Sequence, residues 1–378
     1  MPKIKSIELK PFEYVMPQGK AYGMARGLNF RRICSLVELT TDEGVVGYGE
    51  AGGPPRIMAE YLPLVRPFFI GRSIYDFELV ASQIYNRLYH FGVQNHMTAM
   101  LSGISIASYD AIGKSLGVAI HDLLGGRATD RFGCYATTGY LTADVENTFE
   151  AQLQGAVRMG FGAVKIKIGQ GPADDLARVR SARGIIGDDA LLMVDINGNY
   201  TVDIALQSLR GIEPYNIHWC EEPLPPTDTR GYSELRQRSP VPLAAGEALH
   251  TVHDFKRLVD ARGLDILMPS LISCGGFGQA KAIALLAQMN NLRLSPSVWA
   301  NGLAIAASLH FAASLPVSPH TDNVPFPLLI EYDTGDNPFR DGMLGEPLPM
   351  RNGEIAVPGG PGLGITVDTS RVEQFAVR

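Results

Sequence analysis

Lys165 and Lys167, separated by one residue, stand at the end of a short apolar run, Ala163–Ile168. In a strand alternate residues share a face, so both ammonium groups point the same way. Acids close the next three apolar runs: Asp195, Glu221 and Glu247, evenly spaced at one strand–helix unit each. Three carboxylates on neighbouring strand ends repel one another unless a cation sits between them. All-oxygen ligation with room for water and a substrate suits Mg²⁺ better than Zn²⁺. A lone Lys-x-Lys is ordinarily a solvated edge, and a lone acid at a strand end says little. Five charged residues on four successive strand ends form a pattern that solvation does not account for.

The elements that must position them are legible in outline. Ile4–Pro11 and Ile33–Thr40 alternate apolar and polar residues, and the turn Thr41–Gly44 leads into Val45–Gly49, so the chain opens with antiparallel strands. From Pro63 to about Leu124 the spacing becomes helical, with small apolar residues dense between Ala99 and Gly113. Beyond Gly125-Gly126 short strands alternate with helix-length stretches. The strands are expected near Tyr135–Gly139, Ala163–Ile168, Leu191–Asp195, Ile217–Cys220, Pro242–Gly246, Asp265–Pro269, Arg293–Pro296 and Leu328–Glu331. Eight such repeats imply a parallel sheet closed on itself. The expected fold is α/β, a modified (β/α) barrel with an N-terminal α+β capping domain. Its boundaries are read as 1–126 for the cap, completed by about 351–378, and 127–350 for the barrel. In such barrels the chemistry sits at the carboxyl ends of the strands, where the five charged residues fall.

Composition narrows the function class. The 378 residues are 46% hydrophobic and 19% charged, an ordinary globular balance with enough chain for a large core. The net charge of −6 argues against a nucleic-acid surface, which needs clustered Lys and Arg. Met1–Lys10 lacks the apolar core of a signal peptide, and no run approaches a membrane span. Cys34, Cys134, Cys220 and Cys274 are far apart without a CxxC pair, as expected of free thiols in a reducing compartment. A soluble, cytoplasmic protein is expected.

Over nearly its whole length the chain resembles the mandelate racemase subgroup of the enolase superfamily. The resemblance rests on Val164-Lys-Ile-Lys-Ile-Gly169, Val194-Asp-Ile-Asn197, Trp219-Cys-Glu-Glu-Pro223, Ala245-Gly-Glu247, Asp265-Ile-Leu-Met-Pro269, Cys274-Gly-Gly-Phe277 and Ile330-Glu-Tyr-Asp333. Within the subgroup, Glu331-Tyr-Asp and Asp336-Asn-Pro-Phe-Arg340 look most like sugar-acid enzymes of the galactarolactone cycloisomerase kind. The resemblance implies that Asp195, Glu221 and Glu247 bind Mg²⁺, which takes the substrate carboxylate and stabilises the enolate left when the α-proton departs. It implies Lys167 as the base, with its pKa depressed by Lys165 and the metal. Sites of this kind pair a Lys base with Mg²⁺ that holds an ene-diolate. Glu331 is expected across the carboxylate, donating to it if protonated, and Asn197 is expected to face the substrate.

The sequence departs from the subgroup on the far face of the substrate. Many members carry an Asp after the Pro ending strand six and a His at the end of strand seven; here Ser270 and Ser297 stand there. Serine alone is a poor general base. His250 and His253 follow strand five, where structural or surface roles are expected. Substrate selection is expected from two Gly-rich loops of the cap, Pro17–Phe30 and Glu50–Arg56, able to move over the barrel mouth. Arg26 or Arg56 is the candidate clamp for a second carboxylate, with Tyr22 and Tyr140 as further contacts. The leading expectation is an Mg²⁺-dependent lyase or isomerase, a dehydratase or lactone cycloisomerase, acting on a hydroxy-carboxylate or sugar acid by single-face proton abstraction. The alternatives are a racemase or epimerase, which needs groups on both faces, and a catalytically weak carboxylate-binding relative. The expected partner is a small carboxylate substrate, with neither nucleic acid nor membrane, and the chain is expected to form a homo-oligomer.

Overall fold

The computed structural model describes residues 1–92, 94–316 and 327–377. Three antiparallel strands open the chain, Ile4–Val15, Arg31–Thr41 and Val46–Ala51, paired in that order. Ile7, Val37, Leu39 and Ala51 turn inward against Met100, Leu101, Ile104 and Ala107 of the helix His96–Leu116. The dense small residues of that helix have a steric cause. A Cβ at Gly47 would run into the Ala107 carbonyl and one at Gly49 into the Gly103 carbonyl, so strand and helix meet backbone to backbone.

Two local expectations are corrected. The helical stretch starts at Pro55, in the helix Pro55–Phe69, and not at Pro63. Pro55 sits in the first turn, where a missing N–H costs nothing, and Pro63 and Pro67 are carried inside the helix. Pro17–Phe30 is not an open loop. Tyr22–Met24 and Gly27–Asn29 form a hairpin, and Tyr22–Met24 also pairs with Leu141–Thr142 beyond the first barrel strand.

Eight parallel strands follow: Arg131–Thr138, Ala163–Lys167, Leu191–Asp195, Ile217–Glu221, Leu243–Ala245, Ile266–Leu267, Arg293–Leu294 and Ile330–Asp333. The first pairs with the second and the eighth, and the ladder runs without a break from the first to the seventh. Between the seventh and eighth the contact passes through side chains: Ser295 Oγ donates to the Leu329 carbonyl (3.2 Å) and the Val298 N–H to Glu331 Oε2 (2.8 Å).

Alternation along these strands sorts the residues. Val164, Ile166, Leu192, Val194 and Cys220 face out into the main core beneath the helices. Tyr135, Ala163, Met193, Trp219, Ala244, Ile266, Met268 and Leu329 face in and fill the barrel as an apolar plug. One step further along the same inward face come Thr137, Lys165, Asp195, Glu221 and Glu331, a charged layer on an apolar floor. The tail returns to the N-terminal unit: Leu363 N–H donates to Asp110 Oδ1 (2.8 Å) and Val377 N–H to the Pro11 carbonyl (2.8 Å). All four cysteines are buried and free. Among the described residues no helix is long and apolar enough to cross a membrane.

Candidate active site

Parallel register sets the charged layer, pairing Lys167 with Asp195, Asp195 with Glu221, and Thr137 with Lys165. Lys165 Nζ lies 2.6 Å from Glu221 Oε2, 2.8 Å from Glu331 Oε1 and 3.9 Å from Asp195 Oδ2. Beneath it, 5.3 Å away, is the ring of Tyr135. Lys167 Nζ is 2.6 Å from Asp195 Oδ2. Asn197, in the left-handed region at φ 52°, donates its amide to Glu247 Oε1 (3.2 Å) and its backbone N–H to Asp195 Oδ1 (2.9 Å). Glu331 accepts at both oxygens, from Thr137 Oγ1 (2.5 Å) and from Ser297 Oγ (3.3 Å) and Val298 N–H. Lys165, Asp195, Glu221 and Glu331 are almost wholly buried. Removing that many charges from water costs several kcal/mol per ion, so stability alone does not account for the layer.

Electrostatics sets the charges of this layer. Burial is the largest influence on Lys167 and would lower it, and Lys165 pushes the same way, but the Asp195, Glu247 and Glu221 carboxylates together outweigh both and hold Lys167 above the ordinary lysine range. The depression expected from Lys165 and a metal together has to act against this pairing of the ammonium with Asp195. Burial would likewise raise Glu331, but the Lys165 ammonium and the Thr137 hydroxyl hold it below the usual carboxylate range. Glu331 is an ionised acceptor here and not a protonated donor. Glu221 and Glu247 go the other way: burial and repulsion among the carboxylates raise both. Glu222, buried beside Glu221 with φ 39°, is raised for the same reasons.

The three acids expected to hold a metal are neighbours but do not converge on one point; among the described residues no group of three Asp, Glu, His or Cys side chains is arranged as a metal site. Each is engaged separately, Glu221 by Lys165, Asp195 by Lys167 and Glu247 by Asn197. The donor chemistry nevertheless fits a hard divalent cation. Glu221 Oε1 and Asn197 Oδ1 are buried without any hydrogen-bond partner, and the ammonium groups provide the counter-charge a cation would.

The remaining expected residues divide. Ser297 joins the layer through Glu331; Ser270 is nearly buried at the end of strand six, where its carbonyl accepts from the Ser273 and Cys274 N–H groups. Arg26 is no carboxylate clamp in this structure, because its guanidinium donates to the carbonyls of Asn197 (2.6 Å) and Gly198 (2.6 Å). Arg56 is exposed on the first turn of its helix. His250 Nδ1 bonds the Ser273 carbonyl (2.9 Å), and His253 is exposed. Tyr22 and Tyr140 are buried together, rings 5.2 Å apart and nearly perpendicular. Tyr140 donates to Asp333 Oδ1 (2.7 Å) and accepts from Trp299 Nε1 (2.9 Å). Sequence reasoning missed Arg32, Trp299 and Thr137. Asp333 had a signal, since it lies two residues beyond Glu331 and hence on the same face.

Fold and charged layer together define an enolase-type barrel, and comparison with known families agrees. Residues 148–371 match the enolase C-terminal domain-like family, and residues 8–125 the mandelate racemase/muconate lactonizing enzyme N-terminal domain. The chain belongs to the mandelate racemase/muconate lactonizing enzyme family of the enolase superfamily. It is 37% identical over 347 residues to D-galactarolactone cycloisomerase of Agrobacterium fabrum, covering 91% of this chain and 92% of that one. The 3,6-anhydro-D-galactonate cycloisomerase of Zobellia galactanivorans has the same architecture, with a TM-score of 0.89, 31% identity and full coverage of both chains. A racemase from Streptomyces coelicolor, solved with bound magnesium, superposes with a TM-score of 0.86 at 25% identity, covering 99% of this chain and 100% of that one.

Proposed function

We propose that this chain is a Mg²⁺-dependent sugar-acid isomerase that opens a lactone ring by removing the proton α to a carboxylate. The observation that carries the reading is the charged layer itself: Lys165, Lys167, Asp195, Glu221 and Glu331 buried together on an apolar floor at the strand ends, with Glu247 half-buried beside them. Asp195, Glu221 and Glu247 would hold the cation, which when bound supplies positive charge against the developing enolate.

Lys167 is the base. To accept a proton at Nζ it must be neutral, so Asp195, which now stabilises its ammonium, has to be drawn away from it. With Asp195 neutralised, burial and the neighbouring Lys165 ammonium both act to lower the Lys167 pKa toward the working range. Lys165 is fixed by Glu331 and Glu221 and presents the charge that a substrate carboxylate needs. Thr137, Ser297 and Val298 in turn keep Glu331 from moving.

Ser270 and Ser297 leave the far face without a group able to move a proton at neutral pH, which favours a leaving group that needs none. A lactone ring oxygen on the β-carbon meets that condition. The α C–H bond breaks to Lys167, its electron pair becomes the new C=C, and the ring C–O bond leaves with its pair as a carboxylate. The enol then takes a proton and becomes the 2-keto acid, so atoms balance as an isomerisation. The similarity to two cycloisomerases supports the same chemistry. The test is to incubate sugar-acid lactones with enzyme and Mg²⁺ and assay 2-keto acid formation before and after exhaustive chelation. Activity that survives chelation overturns the proposal.

A further inference from the structure

Above the charged layer, at the ends of strands seven, eight and one, lies a second buried polar cluster assembled from five separate stretches of chain. Arg32 reaches in from the cap with its guanidinium 4.2 Å from the ring centre of Tyr22 and 4.7 Å from that of Trp299. Its Nη1 is 2.8 Å from Asp333 Oδ2, and its Nε donates to the Asp336 carbonyl (2.9 Å). Asp333 and Trp299 each stand two residues beyond a member of the charged layer, Glu331 and Ser297, on the same strand ends. Tyr140 links the two through Asp333 and Trp299.

This cluster is incompletely satisfied. The Tyr22 hydroxyl and Arg32 Nη2 are fully buried donors with no hydrogen-bond partner, and Asp333 Oδ2 meets only the Arg32 guanidinium. Orphaned buried polar atoms are rare in folded proteins, and two donors beside a spare acceptor lone pair suit a hydroxyl, which both accepts and donates. The charges decide what kind of group belongs there. Arg32 and Asp333 are 4% and 2% exposed and neutralise each other, so the cluster has no net positive charge to offer a second carboxylate. Arg26, the other cap arginine near the mouth, is spent on backbone carbonyls.

We infer that Tyr22, Arg32 and Asp333 form the subsite for the far end of the substrate, and that this end is uncharged and hydroxylated, a polyol chain or lactone ring and not a second free carboxylate. The inference rests on the proposed function, since it names the substrate class of the same site. Trp299 and Tyr140 hold the guanidinium and carboxylate in place, acting as positioning residues.

The experiment compares matched pairs of acids that differ only at the far end, an aldonate or aldarolactone against the open dicarboxylate. The wild type is expected to favour the uncharged end in kcat/KM by about tenfold or more, as unpaired buried groups discriminate. Tyr22→Phe removes a hydroxyl that bonds to nothing in the free protein, so Tm should hold while KM for the hydroxylated acid rises by about five- to tenfold. Asp333→Asn, which leaves Arg32 uncompensated, should narrow or invert the preference. Binding to the Lys167→Ala protein, followed by tryptophan fluorescence, gives the ranking independently of turnover. A dicarboxylate ranked first, or a Tyr22→Phe protein with unchanged KM and affinity, overturns the subsite. If a ligand binds in the expected order but the wild type never exchanges its α-proton, the base assignment fails and the subsite stands.

Discussion

Glu50 closes the third strand of the cap and is fully buried against the barrel rim, where Oε1 accepts from Asn301 Nδ2 (2.7 Å) and Oε2 has no partner. Burial raises its pKa from 4.5 to about 7, with the Asn301 side chain and the Asn301 and Ala304 N–H groups opposing. The folded state therefore binds this proton more tightly than the unfolded chain, and stability falls as pH rises from the unfolded to the folded pKa. At 1.36 kcal/mol per unit, the full shift corresponds to about 3 kcal/mol, of which about 2–3 kcal/mol falls between pH 5 and pH 8. Glu50→Gln keeps the acceptor toward Asn301 and removes the titration. Urea unfolding of wild type and variant at each pH cancels every other titrating group. The stability difference should move in favour of the variant by that amount as pH rises from 5 to 8, mostly below pH 7. Parallel stability curves across this range would refute the reasoning, because Glu50 would then titrate alike in both states.

Further perturbations bear on the charged layer. Lys165→Ala removes a cation that lowers the Lys167 pKa, so the acid limb of the pH–rate profile should shift to higher pH; an unmoved limb contradicts the coupling. Glu221→Gln should abolish Mg²⁺ binding by calorimetry together with turnover, and retention of either result argues against the assigned ligand set. Asp175 is buried and accepts from Gly169 N–H (2.7 Å), Tyr200 OH (2.6 Å) and Ser208 Oγ (2.5 Å), fixing the loop just beyond Lys167. Asp175→Asn should cost about 2–4 kcal/mol in chemical denaturation and reduce kcat; an unchanged unfolding midpoint would show that this network does not hold the loop.

The barrel was legible because its strands are short apolar runs with charged ends, and period two places every other residue on one face. Lys165, Lys167, Asp195 and Glu221 thus come together from spacing alone, whereas the place of Glu331 came from the family resemblance. What spacing does not reveal is which partner each charge chooses. Lys167, expected to be depressed by Lys165 and a metal together, is paired with Asp195 at 2.6 Å, a matter of ångströms set by tertiary packing. Arg26 looked like a free clamp until the hairpin around it brought it to the Asn197 and Gly198 carbonyls. The second cluster was legible only through Tyr22 and Tyr140, for a related reason. Tyr22, Arg32, Tyr140, Trp299 and Asp333 lie in distant segments, and no local pattern unites them. The helix start at Pro55 was hidden by reading Pro54-Pro55 as a loop, although proline suits a first turn.

The central claim is that Lys167 removes the α-proton on one face, and deuterium tests it directly. A single enantiomer of a sugar acid that the enzyme accepts is incubated in D₂O with Mg²⁺, and the α-carbon is followed by NMR in wild type and in Lys167→Ala. Wild type should incorporate deuterium with retained configuration or in the product at a single face, and Lys167→Ala should incorporate none. Undiminished exchange in Lys167→Ala, or rapid inversion of the substrate by the wild type, would contradict the account.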